Sequence, residues 1–351
     1  MHAKIKICAT VVAAMVSIHS ARAEDVVLGQ GDFRYRPVTR WAGDALDGVI
    51  VGNGHGLAFD AGGRLFLLND NPKNNVLIFD TAGKLLAQWT ANMPGAHGLT
   101  LVQEPRPQGS GNGPPTEVLF ITDTALHEVR KFTLDGKELL RVGWPESTKL
   151  YSKADEYKPS KVIWLGGEFI VLDGYGKDYV IHYKPDGSIL RAWGGNIGEG
   201  ENQLKHWGPH GGALDDRDKA RPFLMIGMSD QQYIKRFSLD GKYMDTIAMP
   251  GGNPRDGLLF GEFLFVPHLG DKWPLDKNSR GFISVLDKNY RIVSNIGAPP
   301  AQYENGILQP MKNDSAFFLH PHAVAVDIDG NLYVAQFMSP KAPLLKLKRL
   351  K

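Results

Sequence analysis

Short apolar runs of four to seven residues, separated by polar turns, fill this chain from about residue 50 to its end. The stretch 171–187, VLDGYGKDYVIHYKPDG, shows the unit: an apolar strand ending in Asp173, a short loop, an alternating strand through Tyr179–Tyr183, and a Pro-Asp-Gly turn. The same order appears at 121–136 (ITDTALHEVRKFTLDG), at 228–241 (MSDQQYIKRFSLDG) and, with a longer middle, at 68–83 (LNDNPKNNVLIFDTAG). A period of 40–50 residues built from four short strands predicts radial repetition, a propeller or a solenoid. No long stretch keeps a helical spacing of apolar positions.

Six strand starts can be counted: His55-Gly-Leu-Ala, His97-Gly-Leu-Thr, Lys161-Val-Ile-Trp, His210-Gly-Gly-Ala, Asp256-Gly-Leu-Leu and His322-Ala-Val-Ala. Their spacings are 42, 64, 49, 46 and 66 residues, the long ones absorbing a Pro/Gly/Ser loop at Glu104–Thr116 and insertions at Gly270–Gly281 and Ala298–Leu319. The segments LLAQW, ELLRVGW and SILRAWG each close a unit, placing Trp89, Trp144 and Trp193 alike. Phe33–Ala42 has the same ending, at Trp41, with no complete unit before it, while the last strand, Pro343–Lys351, has no partner after it. Pairing these two leftovers closes a ring and covers the sheet edges that an open array would expose. The expected fold is all-β, a six-bladed β-propeller of four-stranded blades over residues 24–351, with the N-terminal strand completing the last blade.

Composition changes this picture at the N-terminus. Lys4 and Lys6 precede an apolar run from Ile7 to Ile18, and Ala21-Arg22-Ala23 follows. These are the three parts of a secretory signal peptide, and the run is too short to span a bilayer. Residues 1–23 are therefore expected to be removed after Ala23, and the protein to be secreted or periplasmic. Cleavage takes away Cys8, the single cysteine, so no disulfide is expected. Losing Lys4, Lys6 and Arg22 moves the formal charge from +2 to −1, which gives no basic excess for nucleic acid or an anionic membrane surface. A monomer is expected.

The histidines carry the candidate chemistry. In an up-and-down blade the start of the first strand and the end of the second lie at one end of the sheet. The six starts should therefore ring one channel mouth, together with Asp70, Asp123, Asp173, Tyr175, Asp230 and His268. Of 11 histidines, four stand at strand starts. Imidazoles converging on a channel suit Zn²⁺ or another divalent ion, and three neutral histidines with an open fourth position are the catalytic zinc arrangement. The competing reading is that a His before Gly hydrogen-bonds the adjacent blade and recurs because the unit was duplicated. The rim would then be a non-catalytic surface for a ligand or protein. Tyr175 is a candidate general base or, equally, an aromatic packed on the rim. Asp123, Asp173 and Asp230 most simply cap the loops that follow them. His127 and His182 read as surface residues, and His320 as a weak candidate beside His322. No phosphate-binding glycine loop, G-x-S-x-G elbow, H-E-x-x-H or C-x-x-C-H motif is present.

The stretches AHGLTL (96–101), TDTALHEVRKF (122–132), LDGYGKDYVIHYKPDGSILRAWG (172–194), PHGGAL (209–214) and PHAVAVDIDGNLYV (321–334) resemble NHL repeats. Their order over most of Val51–Leu347 resembles peptidyl-α-hydroxyglycine α-amidating lyase and its bacterial propeller relatives. That resemblance implies zinc on His97, His210 and His322, with Tyr175 as the catalytic residue. It also implies a structural calcium held partly by the backbone carbonyl of Leu99. The implied reaction cleaves a C-terminal α-hydroxyglycine into a peptide amide and glyoxylate, with a small molecule or peptide held at the channel mouth. Three positions depart from the pattern: Ala323 stands where an acid would help hold the calcium, and Asn69-Asp70 and Gln231-Gln232 stand where substrate-binding arginines are expected.

Overall fold

A computed structural model of the protein describes residues 26–105, 115–195, 204, 208–270, 275–276, 278–312, 317–339 and 342–351. The leader expected at 1–23 lies outside the described residues. Alternating or wholly apolar short segments, each bounded by a turn, fold as six four-stranded antiparallel sheets. The six-bladed propeller is thus observed. Blade 1 comprises Gly54–Phe59, Leu65–Asn69, Val76–Phe79 and Leu85–Trp89, and blade 2 comprises Ala96–Glu104, Thr116–Asp123, Glu128–Thr133 and Glu138–Val142. Blade 3 runs through Lys161–Trp164, Phe169–Leu172, Tyr179–Tyr183 and Ile189–Gly194. Blade 4 runs through Pro209–Asp215, Phe223–Met228, Tyr233–Phe237 and Tyr243–Ala248. Blade 5 uses Leu258–Phe260, Phe263–His268, Phe282–Leu286 and Ile292–Ile296. No helix among the described residues is long and apolar enough to cross a membrane.

Blade 6 closes the ring. Its strands Pro321–Val326, Leu332–Gln336 and Leu344–Arg349 are completed by Tyr35–Pro37, with Tyr35 opposite Arg349 and Pro37 opposite Leu347. The N-terminal strand is shorter than the expected Phe33–Ala42, because the chain turns at Val38–Gly43 to lay Trp41 against Phe79 and Tyr333. The insertion at Ala298–Leu319 carries its own small hairpin, Tyr303–Glu304 against Ile307–Leu308, which the apolar pattern did not suggest.

The core lies between blades rather than in one central mass. Second strands such as Leu65–Asn69 and Phe169–Leu172 are buried along their whole length, whereas the outer strand Leu85–Trp89 exposes its middle. The recurrent tryptophans stitch one blade to the next. The Trp41 indole N–H donates to Thr81 O (3.0 Å) and that of Trp89 to Leu134 O (3.2 Å), so each ring lies over a turn of the following blade. Gly83, Gly136 and Gly241, all with φ near +90°, face Trp41, Trp89 and Trp193 in turn. At the blade 2–blade 3 junction Val142, not Trp144, meets Gly187.

The channel holds a built-in cation. Lys161 opens blade 3, and its ammonium donates to Asp256 Oδ2 (2.6 Å) and to the backbone oxygen of Leu99 (2.7 Å). Blades 2, 3 and 5 are tied together by that one group. The Leu99 carbonyl, expected to face calcium, therefore accepts from an ammonium instead. With Lys161 at that oxygen and Ala323 in place of an acid, the residues present do not fit a calcium ion there. A second cation there would be repelled by the Lys161 ammonium and would find its nearest carboxylate, Asp256, already paired.

Two outcomes follow for stability. Gly136→Ala requires a left-handed backbone and puts a methyl 2.7 Å from the Trp89 ring. Thermal unfolding should show a loss of about 1–3 kcal/mol, and an unchanged midpoint would contradict the junction. Lys161→Met strands the largely buried Asp256 and should cost roughly 3–5 kcal/mol in urea unfolding at neutral pH, with Lys161→Met/Asp256→Leu recovering most of it. Burial already raises the Asp256 carboxyl above its ordinary value, against the opposing pull of Lys161. A group raised on folding loses stability as pH rises, so the deficit of Lys161→Met should shrink on acidification.

Candidate metal centre

Four of the six first strands begin with a slip of register, and each slip falls at a histidine. Pairing skips between Gly54 and Gly56, between Ala96 and Leu99, between Pro209 and Gly211, and between Pro321 and Ala323. The first strand of blade 3, from Lys161, pairs without a slip, whereas blade 5 shows the same one-residue offset just ahead of its first strand, between Pro254 opposite His268 and Leu258 opposite Phe265, with Arg255 at the histidine position. A bulge re-aims the side chain at the extra residue. Here it swings His55, His97, His210 and His322 onto the axis while the strand behind keeps its alternation.

The residue after the histidine explains the His-Gly repeat. A Cβ on Gly56 would lie 2.4 Å from Leu99 Cβ, one on Gly98 2.4 Å from Ser160 O, and one on Gly211 2.6 Å from Arg255 O. Each glycine lets the next blade's entry strand pass against it. The imidazoles use that closeness: His97 Nδ1–H donates to Ser160 O (2.9 Å) and His322 Nδ1–H to His55 O (2.8 Å). A carbonyl can only accept, so these bonds fix the tautomer and turn the Nε2 lone pair of each ring toward the channel.

The four rings touch. His97 and His322 are 4.9 Å apart between centroids; His55 lies 4.9 and 4.8 Å from them, and His210 lies 4.7 and 4.9 Å from them. One ring nitrogen each from His55, His97 and His322 fall within 4.8 Å of one another. All four are buried. Both nitrogens of His210 and Nδ1 of His55 are buried without a hydrogen-bond partner. Burial is the main cause holding His97, His210 and His322 well below the ordinary imidazole pKa, so they stand neutral, the form that binds metal. Neutral nitrogens with unused lone pairs, facing one another in a dry place, fit a divalent metal ion. Of the expected trio, His97 and His322 fall in the closest donor set, whose third member is His55, only a rim candidate from the sequence; His210 packs against His97 and His322 but is not in that set.

Above the rings opens a cavity of about 650 Å³, lined among others by Asp70, Tyr175, Asp230, Arg255 and Phe337. Tyr175 reaches the cluster, its hydroxyl 3.1 Å from His97 Nε2. Since that nitrogen is the acceptor, the phenol donates. The Arg255 side chain hydrogen-bonds the phenol oxygen in turn, with Asp230 adding a further charge. Burial raises the Tyr175 phenol and Arg255 pulls against that rise. Burial likewise lowers the Arg255 guanidinium from its ordinary value.

Arg255 was missed from the sequence. The repeat count puts Asp256 at the start of blade 5, but the pairing of Pro254 with His268 places Arg255 at the position the histidines hold in other blades and Asp256 at that of the following residue. Two arginines expected elsewhere are absent, yet a guanidinium reaches the same cavity from this place. At Asp70, where one arginine was expected, the carboxylate accepts from Asn53 N (2.8 Å) and Asn53 Nδ2 (2.7 Å) and lies 3.4 Å from His55 Nε2.

The remaining candidates take structural places. Asp173 caps its loop as the simpler reading had it: Oδ1 accepts from Lys158 N, and Oδ2 from Lys177 N and the Tyr151 hydroxyl, all at 2.7 Å. Burial pushes its carboxyl up to about 7 against those bonds. It shapes the turn that presents Tyr175 but does not join the histidines. Asp123 caps in the same way, taking Ala125 N and Leu126 N. His268 is fully buried away from the cluster, stacked on Phe282 and 3.0 Å from Ser284 Oγ. His320 is likewise buried. His127 Nδ1 donates to Tyr157 O (2.7 Å). His182 is buried rather than on the surface, because its strand is covered by Glu168, 2.8 Å from Nε2.

No protein-family model matches the chain, and no curated protein matches it. Solved structures do match in shape. A streptogramin B lyase aligns over 93% of this chain and 99% of its own, with TM-score 0.54 and 12% identity. A selenomethionine form of virginiamycin B lyase from Staphylococcus aureus aligns over 85% and 95%, with TM-score 0.51 and 14% identity. A catalytically inactive histidine-to-alanine form of that enzyme with quinupristin aligns over 93% and 100%, with TM-score 0.53 and 13% identity. At such identities the likeness is one of fold: the chain shares a β-propeller architecture with proteins named as lyases.

Proposed function

We propose that this protein is an exported, monomeric, metal-dependent lyase whose chemistry is akin to that of peptidyl-α-hydroxyglycine α-amidating lyase. Zinc on His97, His210 and His322 and a small α-hydroxy amide or peptide end in the cavity complete the reading. The observation that carries it is Tyr175, donating to His97 Nε2 at 3.1 Å and bonded by Arg255, at the edge of a cluster of neutral imidazoles. The lyase names of the structural neighbours agree with this class, and the secretory leader supports export.

The residues divide the work as follows. A divalent ion bound by the imidazoles would acidify a substrate hydroxyl and lower the pKa of the phenol beside it. Tyr175 stands where it can take the hydroxyl proton. The oxygen's electron pair then forms the carbonyl of glyoxylate, the C–N bond breaks with its electrons going to nitrogen, and the nitrogen takes up the proton to become the amide. Arg255 favours the phenolate by donating to it and can pair with the substrate carboxylate through its remaining N–H groups. Burial of the site keeps water from competing for these bonds.

Three outcomes test this. Metal analysis of the purified protein should find about one divalent ion per chain, lost in His97→Ala and in His210→Ala. Absence of metal, or unchanged content in both variants, would favour a binding module without chemistry. Glyoxylate should be released from a peptide ending in α-hydroxyglycine, and Tyr175→Phe should keep the metal while lowering kcat about 100-fold or more. Arg255→Met should raise KM for the carboxylate substrate roughly tenfold to a hundredfold, with a smaller effect on the carboxamide analogue. Equal effects on the two would remove Arg255 from carboxylate recognition.

A further inference from the structure

We propose that His55 is a fourth metal ligand, making the centre an all-imidazole site of His55, His97, His210 and His322. This rests on the metal reading of the preceding subsection and adds to it. The axis is shared in a definite way: His97 and His322 face each other, His55 of blade 1 lies in the short arc between blades 6 and 2, and His210 of blade 4 lies across. Five of the six pairings among these rings have centroids 4.7–4.9 Å apart. The tightest donor set among the described residues is His55, His97 and His322, not the trio without His55.

The surroundings of His55 point the same way. Its Nε2 faces Asp70 Oδ2 at 3.4 Å, and that carboxylate is fixed by two bonds from Asn53. An ionised carboxylate at Nε2 draws the proton there and leaves the lone pair on Nδ1. That Nδ1 is buried and has no hydrogen-bond partner. His97 and His322 show what a histidine here does when it serves the fold, which is to donate one nitrogen to the next blade's backbone. His55 makes no such bond. A carboxylate behind one nitrogen and an unused lone pair at the other is the arrangement that orients a metal-binding imidazole and raises its basicity.

Four imidazole nitrogens and no carboxylate among the ligands suit a first-row divalent transition metal that accepts more than four donors. The donors beyond the imidazoles would come from the cavity side, where Tyr175 and Arg255 stand. A substrate carrying a hydroxyl next to a carboxylate could supply two oxygens there.

The test counts imidazoles directly. X-ray absorption of the zinc- or cobalt-loaded wild-type protein should resolve four histidine ligands, and His55→Ala and His55→Gln should show three. Equilibrium dialysis against the same metal should show affinity lowered about tenfold or more in both variants. Three histidines in the wild type, unchanged in the variants, would overturn the proposal and leave the trio of His97, His210 and His322 standing. Failure of the wild type to bind either metal would overturn both readings. The wild-type count needs no variant to fold.

Discussion

Near the axis of this propeller, at three of the four strand-start histidines, there is no room between neighbouring blades for a side chain on the next residue. The close approach at Gly56, Gly98 and Gly211 is the constraint on which the site depends. It brings the next blade's carbonyls within reach of the imidazoles, and those carbonyls choose which nitrogen is protonated. The backbone packing that closes the ring thereby also aims lone pairs into the channel. Structure and chemistry are not rival explanations for the repeated His-Gly. The hydrogen bond to the neighbouring blade, the simpler account of the repeat, is what prepares His97 and His322 for the less simple one.

The channel contains two polar layers with opposite solutions to the same electrostatic problem. At Lys161 and Asp256 the chain supplies both charges, and the Leu99 carbonyl takes up another ammonium donor. That layer is complete without any ion. In the histidine layer the chain supplies only neutral acceptors, and burial holds them neutral. Unused lone pairs in a dry site cost about 1–3 kcal/mol each when nothing binds them.

Much of this was legible from local signals. Turn residues and strand lengths marked the blades, and the unmatched strands at the two ends revealed the ring. The histidine column was visible because an up-and-down sheet puts equivalent positions at equivalent heights. Arg255 was not legible, since matching Asp256-Gly-Leu-Leu to the His-Gly starts sets it one residue out of register, and the pairing of Pro254 with His268 is what places Arg255 in that column. His55 looked like His97 in sequence, and its difference from it, a carboxylate behind the ring in place of a carbonyl, depends on how the 69–75 loop folds back. Lys161 could not be read as a substitute for calcium, because its partner Asp256 is 95 residues away. His182 was misplaced because position on a strand does not say what the adjacent side chain, Glu168, will cover.

The cost of the histidine layer also bears on why it persists. Three unpartnered nitrogens, two on His210 and one on His55, could be replaced by apolar groups of similar size with no loss of packing. A fold under pressure for stability alone would tend toward such replacements, since most proteins hold strained or unsatisfied groups where function uses them. Those on His55 and His210 meet on the axis, below a cavity that also holds a phenol and a buried guanidinium, while others, such as His268 Nδ1, lie elsewhere in the fold. Unsatisfied nitrogens scattered through a core would signal poor packing. Brought together with the nitrogens of His97 and His322, those of His55 and His210 form a place that could hold a metal ion.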